Sequence, residues 1–290
     1  MEAAKDMSNS SNDHDKAANI SWAQKAFRTL QPFLFGIFLL ATWQTAVSVF
    51  EVSRIILPPP MDVLREFISG ITKSPFDKSG YLYNAGVTLY EAAAGLFFGV
   101  IAGVFVGAII AYLRMVERIL YPYIIILQSM PKIAIAPLIV IWFGYGIAPK
   151  IIITSIIVFF PVFVNTLVGF HSVDKERMEL AISLGATGPQ IIMKIQLPSA
   201  LPFIFAGLNM GVVLSMLGAI VGEFMGAQAG LGSLIITYES QMQVTSIYAI
   251  LIILAFLGLL LNRTARSLER RFCFWAQRTR DVEGLDPSAH

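Results

Sequence analysis

Residues 171–198 read HSVDKERMELAISLGATGPQIIMKIQLP, and this stretch decides the fold. It holds Asp174, Lys175, Glu176, Arg177, Glu179 and Lys194, six of the 14 charges between 81 and 262. Charge-free runs at 151–173 and 195–222 flank it, each long enough to cross a bilayer as a helix. A charged segment between two such runs is a connection outside the membrane. Further apolar runs lie at 29–50, 92–113, 240–262 and 119–149, the last interrupted only by Lys132. Six spans result, the first from Pro32 to Phe50. They are continuous runs, not ten-residue alternating segments, which excludes a β-barrel.

The bulk composition agrees. Residues of the set AVILMFWYC make up 56% of the 290-residue chain and charged residues 14%, against about 25% charged in soluble domains. The 182 positions from 81 to 262 carry 14 charges, whereas the 108 flanking positions carry 26. A water-soluble globule does not cover its surface so sparsely, which argues against a soluble enzyme and against a disordered chain. The net charge of +2 gives no sign of nucleic-acid binding. Cys273 is the one cysteine, and His14, His171 and His290 are too scattered for a local metal motif.

Lys and Arg set orientation. With the N-terminus inside, inner segments hold 15 of these residues and outer segments five, Lys150 among the latter. Both termini are therefore expected in the cytoplasm. The expected domains are a cytoplasmic tail and interfacial helix (1–31, with 1–19 disordered), a six-helix transmembrane domain (32–263), and a cytoplasmic tail (264–290, frayed from 281). The long outer loop 51–80 has a helical apolar period at Val63, Leu64, Phe67, Ile68 and Ile71, so a surface amphipathic helix is expected over 61–71.

Within 172–198, Asp174 can cap a helix whose apolar side is Met178, Ala181, Ile182 and Leu184, ended by Gly185. A second short helix runs to Leu197, where Pro198 is expected to break it. The exposed face of this pair needs a cover: a partner protein, or the ends of the chain's own spans.

Charges inside spans are candidates for function. Lys132 lies between Pro122 and Pro137, next to Pro131, where a kinked or broken span is expected. It either faces a pathway and attracts an anion, or pairs with an acid or with carbonyls freed at the kink. Glu91 sits at the outer end of the second span, within reach of the interface. Glu223, before a glycine-rich turn, pairs with Lys132, joins an outer-gate network, or is solvated. Gln128, Ser129 and Asn165, near the kink, are the candidate neutral lining of a pathway; Asn209 and Ser215 more simply bond between helices. Gly95, Gly99, Gly103 and Gly107 recur every four residues and permit close helix approach, within the chain or at a dimer seam.

The pattern Glu179-x-Ala181-x3-Gly185, nine residues, then Ile195-x-Leu197-Pro198 resembles the cytoplasmic EAA loop of ABC importer permeases, with Leu180 where the motif has a second Ala. Other stretches are similar to the branch importing sulfonates, taurine and nitrate: Leu57-Pro-Pro-Pro60, Gln128-Ser-Met-Pro-Lys132 through Pro137 to Gly144-Tyr-Gly146, Phe159-Phe-Pro161 to Asn165, and Val221-Gly-Glu223 with Gly230-Leu-Gly232. The resemblance covers about 57–235. It implies an all-α, polytopic, six-helix type I importer permease in the bacterial inner membrane. It implies a second permease copy, two cytoplasmic ATPase subunits holding ATP and Mg, a periplasmic binding protein, and no cofactor on this chain. The loop then docks as a coupling helix, with Glu179 as a helix-start or polar docking contact, Ala181 as a small contact residue and Gly185 as the turn. A bulky side chain at Gly185 is expected to break coupling. The solute is expected to be small and anionic, from Lys132 and from the branch resembled. No Gly-Lys dipeptide is present for a P-loop, and no Gly-x-Ser-x-Gly elbow. The competing reading is a secondary transporter driven by an ion gradient, which calls for acids or broken helices at the midplane; Lys132 and the prolines fit that in part, but no midplane Asp or Glu is present and the loop is left unexplained.

Overall fold

The computed structural model describes residues 30–275 apart from 73 and 75. The expected disordered segment 1–19, nearly all of the interfacial helix 20–31, and the tail beyond 275 lie outside the described residues. Among the described residues every regular element is helical.

Residues up to Glu66 and residues from Phe67 onward form two separate units. The first contains α1, Leu30–Val49, whose Phe33, Phe35, Ile37 and Phe38 are all exposed, as a lipid-facing helix requires. It also contains the start of α2, Pro60–Thr72. Pro60 opens α2, since its fixed φ suits the first helical turn and its missing N–H costs nothing there. Asp62 in that turn pairs with Arg54 at 3.5 Å and Arg65 at 3.8 Å.

The second unit is a bundle of long helices: α3 (Tyr81–Tyr112), α6 (Ile147–His171), α9 (Leu197–Phe224) and α11 (Val244–Phe272). Shorter elements connect them: α4 (Arg114–Ser129), α5 (Ala136–Phe143), α7 (Lys175–Ser183), α8 (Gly188–Ile191) and α10 (Leu231–Ser240). Lipid gives no hydrophobic drive for helices to associate, so close van der Waals packing must hold them together. Glycine provides it. A Cβ on Gly99, Gly103 or Gly107 of α3 would come within 3.0 Å of Val158, Val162 or Thr166 on α6. A Cβ on Gly207 or Gly218 of α9 would likewise meet the α6 backbone, at Val162 and Thr154, at 3.0 or 2.8 Å. Thus α6 packs against two glycine stripes, and α3 and α9 also meet each other, at Leu96 and Gly211. The α3 stripe is used inside the chain, so the dimer-seam alternative is corrected.

Two expected breaks turn out differently. The third span is broken as expected: α4 and the segment 132–143 meet at 85°. Met130 and Pro131 are extended, because a residue before proline is pushed out of the helical region. Pro198, by contrast, breaks nothing. Gly188–Phe224 runs as one 37-residue helical span, with a π-turn at Ile192–Gln196 in which the Leu197 N–H bonds to Ile192 O. The wider turn relieves the clash that proline makes with the preceding carbonyls of an ordinary α-helix. The second short helix of the loop is therefore the foot of α9.

Candidate functional site

At the loop end of the bundle, α7 stands as the one free short helix between α6 and α8. Asp174 takes the N-cap position without a side-chain bond to the helix and instead lies 3.5 Å from Arg177. At its other end Gly185 has φ +77. The Gly185 N–H bonds to Ile182 O at 2.9 Å and the Ala186 N–H to Ala181 O at 3.0 Å, the paired bonds of a Schellman cap. That cap explains the motif spacing. A residue with positive φ must follow the helix, and Ala181 lies four residues before it, on the buried side. Glu179 lies in the second turn of α7, exposed, which removes the helix-start role and leaves an outward-facing carboxylate. Leu180, Ile182 and Leu184 are 62%, 60% and 79% exposed. Thr187 then opens α8, its N–H accepted by Gln190 Oε1 at 2.9 Å. Ile195 lies in the π-turn, with Leu197 and Pro198 half-buried just after it.

At the broken span, the Lys132 ammonium donates to Gln128 O at 2.7 Å and Met130 O at 3.5 Å, and lies 4.9 Å from the centre of the Phe160 ring. Lysine thus caps the carbonyls freed at the end of α4. Lys132 and Gln128 line a cavity of about 350 Å³ with Phe160, Pro161, Leu214 and Leu217. The other expected lining residues are elsewhere. Ser129 donates to Ile125 O in its own helix. The Asn165 amide donates to Pro161 O at 2.8 Å, and its Cβ faces Gly207 of α9.

Glu223 lies at the opposite end of α9 from the loop, where a polar clamp joins α3, α9 and α10. The N-terminus of α10 presents amides with no partner in their own helix. Each of three is accepted by a side chain: Gly230 N–H by Asn84 Oδ1 at 2.7 Å, Leu231 N–H by Thr88 Oγ1 at 2.8 Å, and Gly232 N–H by Glu223 Oε2 at 2.5 Å. Thr88 also donates to Glu223 Oε1 at 2.6 Å. A carboxylate at a helix N-terminus gains from the aligned peptide dipoles as well. Gly230 has φ +119, and a Cβ there would collide with the Glu223 carboxylate.

Next to this clamp, Lys150 is buried in α6 and its ammonium is 2.5 Å from Glu91 Oε1 on α3 and 3.3 Å from Ala229 O. From sequence, Lys150 is expected in an outer loop and Glu91 within reach of the interface. Both placements are corrected, because α3 begins at Tyr81, eleven residues before its charge-free run, and α6 begins at Ile147. A signal was available: Asn84, Thr88 and Glu91 continue, toward the N-terminus, the helical face that carries Gly95, Gly99, Gly103 and Gly107. Polar residues on the packing face of a span are held by protein. Among the described residues no group of three metal-ligating side chains occurs. Burial and the Glu269 carboxylate push the Cys273 thiol up, away from a reactive thiolate.

Comparison with known proteins bears on what this arrangement is. A formylaminopyrimidine transport permease protein of Halalkalibacterium halodurans is 30% identical over 255 residues, 88% of this chain and 99% of that protein. A putative aliphatic sulfonates transport permease protein of Bacillus subtilis is 31% identical over 253 residues, 87% and 90% of the two chains. A chain of the inward-facing methionine ABC transporter MetNI matches with a TM-score of 0.59 at 21% identity, over 66% of this chain and 95% of that one. At that identity the likeness shows the fold. The model of the binding-protein-dependent transport system inner membrane components matches residues 95–273, from the glycine stripe of α3 to the end of α11. These matches displace the secondary-transporter alternative. The chain belongs to the family of binding-protein-dependent transport system inner membrane components and is a multi-pass permease subunit of an ABC importer.

Proposed function

We propose that this permease works as a homodimer with two cytoplasmic ATPase subunits, and that α7 is the coupling helix through which ATP-driven motion enters it. The observation that carries this is exposed apolar surface on the side of α7 away from Ala181: Leu180 and Leu184, four residues apart and so on one face, are both exposed, next to the Gly185 cap. Burying Leu180 and Leu184 in a partner cleft is strongly favourable, and Glu179 supplies a polar contact beside them. Motion of α7 passes through α8 and the π-turn into α9 as one helical rod. The grip of α9 and α3 on α6 carries it to the rest of the bundle. ATP and Mg bind on the partner; this chain hydrolyses nothing. The excess of Lys and Arg in the expected inner segments puts both termini on the ATPase side.

The solute passes along the cavity at the broken span, where Gln128 and Lys132 present an amide and an ammonium. The sulfonate-transporting relative favours a small anion such as a sulfonate, taurine or nitrate; the formylaminopyrimidine permease favours a neutral heterocycle. A periplasmic binding protein delivers it, as the family description implies, docking on the end that carries α10. Co-purification with the ATPase subunit tests the coupling role. Leu180→Asp with Leu184→Asp should abolish it while the permease still inserts in the membrane. Undiminished co-purification overturns the assignment. Calorimetry on the binding protein with sulfonates, nitrate and pyrimidines decides between the solute classes.

A further inference from the structure

One surface is not used by any of this. Phe256, Leu259, Arg263, Arg266 and Arg270 recur at intervals of three and four along α11 and so share one helical face. All five are exposed. The face changes character abruptly: apolar up to Leu260, cationic from Arg263, at the point where the charge-free run 240–262 ends. The opposite face of α11, with Ile253, Leu261 and Ala265, is buried in the bundle. Leu259, Asn262, Arg263, Arg266, Ser267 and Arg270 enclose an open cavity of about 420 Å³, within the ~300–1,000 Å³ range of small-ligand sites. Asn262 orients the Arg266 guanidinium, accepting its Nε–H at 3.0 Å. The one acid on this stretch, Glu269, is turned toward α9, where it accepts the Asn209 amide at 2.9 Å. Among the described residues, Arg263, Arg266 and Arg270 form no ion pair.

We infer that this face binds the headgroup of an anionic phospholipid, with the phosphodiester among Arg263, Arg266 and Arg270 and an acyl chain along Leu259 and Phe256. The match is one of shape and charge together. A phospholipid is anionic where the helix is cationic and apolar where the helix is apolar, and the change falls at the same depth. Guanidinium groups also present paired donors suited to phosphate oxygens. Capping of the helix C-terminus by arginine accounts for Arg270 and Arg271, but not for the stripe reaching back two turns to Arg263.

The test uses the full chain purified in detergent with its ATPase subunits. Short-chain phosphatidylglycerol, phosphatidylcholine of equal chain length, and inorganic phosphate are each added, and the unfolding midpoint is read. Phosphatidylglycerol at saturation should raise it by roughly 5 °C, with no comparable shift from the other two. The triple variant Arg263→Gln, Arg266→Gln, Arg270→Gln should lose the shift, and the Arg→Lys triple should keep most of it. If the glutamine triple unfolds, Arg266→Gln alone should at least halve the effect. An equal shift with phosphate overturns the lipid assignment, as does an equal shift with phosphatidylcholine. Full retention of the shift in the glutamine variants overturns it too, and so does dissociation of the dimer in them, which would mean a second copy covers this face.

Discussion

Lys150 on α6 and Glu91 on α3 form an ion pair of 2.5 Å whose two side chains are 7% and 0% exposed. A pair this dry ties its helices together at the end of the bundle remote from α7. Removing one partner leaves the other charge buried and alone, which costs about 3–5 kcal/mol, whereas replacing both with apolar groups is often tolerated. Glu91→Leu and Lys150→Met should each lower the thermal midpoint sharply, and the double variant should recover much of the loss. Losses that simply add in the double variant mean the two residues act independently.

Glu223 and Gly230 are expected to fail for different reasons. Glu223→Ala removes the acceptor of the Gly232 amide and of the Thr88 hydroxyl, at about 1–3 kcal/mol for buried donors left unpaired. Gly230→Ala keeps every acceptor but forces a Cβ into the carboxylate at φ +119. Both should loosen the 226–243 segment, read as faster proteolysis there than in the wild type. Glu223→Gln, which keeps an acceptor oxygen, should fall between Glu223→Ala and wild type.

The glycines divide by environment. Gly103→Ala and Gly207→Ala push α3 and α9 off α6 and should destabilise by about 1–3 kcal/mol, the usual cost of overpacking. Gly86→Ala and Gly258→Ala meet nothing within 4 Å and should be neutral or stabilising by up to about 1 kcal/mol, from helix propensity alone. Midpoints of the four variants in one detergent check this, and an equal effect at all four sites rules out the packing explanation.

Gly185 is a matter of backbone more than of space. Nothing lies within 4 Å of a Cβ there, yet φ is +77. Gly185→Ala should cost about 1–2 kcal/mol of strain and shift the end of α7, lowering solute-stimulated ATP hydrolysis in the assembled transporter. Gly185→Asn, which tolerates this conformation, should restore part of it. Gly185→Trp adds bulk at the partner surface and should be the most severe of the three.

Lys132 separates two roles by charge. If it only caps the end of α4, Lys132→Arg should behave as wild type, and Lys132→Gln should lower stability and transport of every solute alike. If it also steers an anion, Lys132→Gln should slow uptake of an anionic solute more than its loss of stability explains. Uptake in proteoliposomes at low and high salt distinguishes these outcomes, because steering weakens with ionic strength.

Much of this was legible in residue order. Apolar run lengths set the spans, Pro131 set the break, and Gly185 with Ala181 set the cap of α7, because each depends on neighbours within a few residues. The partners of charges were not legible. Lys150 reads as a loop cation because it immediately precedes a charge-free run, and Glu91 reads as an interface acid for the same reason. Each is buried because the helices extend past their charge-free cores. Pro198 likewise reads as a break until a π-turn makes room for it.

By itself, then, the sequence determined a helical membrane protein with a charged, capped loop between two spans, since hydrophobic length and local caps are short-range properties. Only the tertiary structure decided that α6 packs against two glycine stripes, that Glu223 caps α10, and that Lys150 meets Glu91. Lys150 and Glu91 lie 59 positions apart, and Asn84, which joins Glu223 in capping α10, lies 146 positions from the Gly230 amide it accepts; such contacts exist only once close packing has excluded both water and lipid from between the helices.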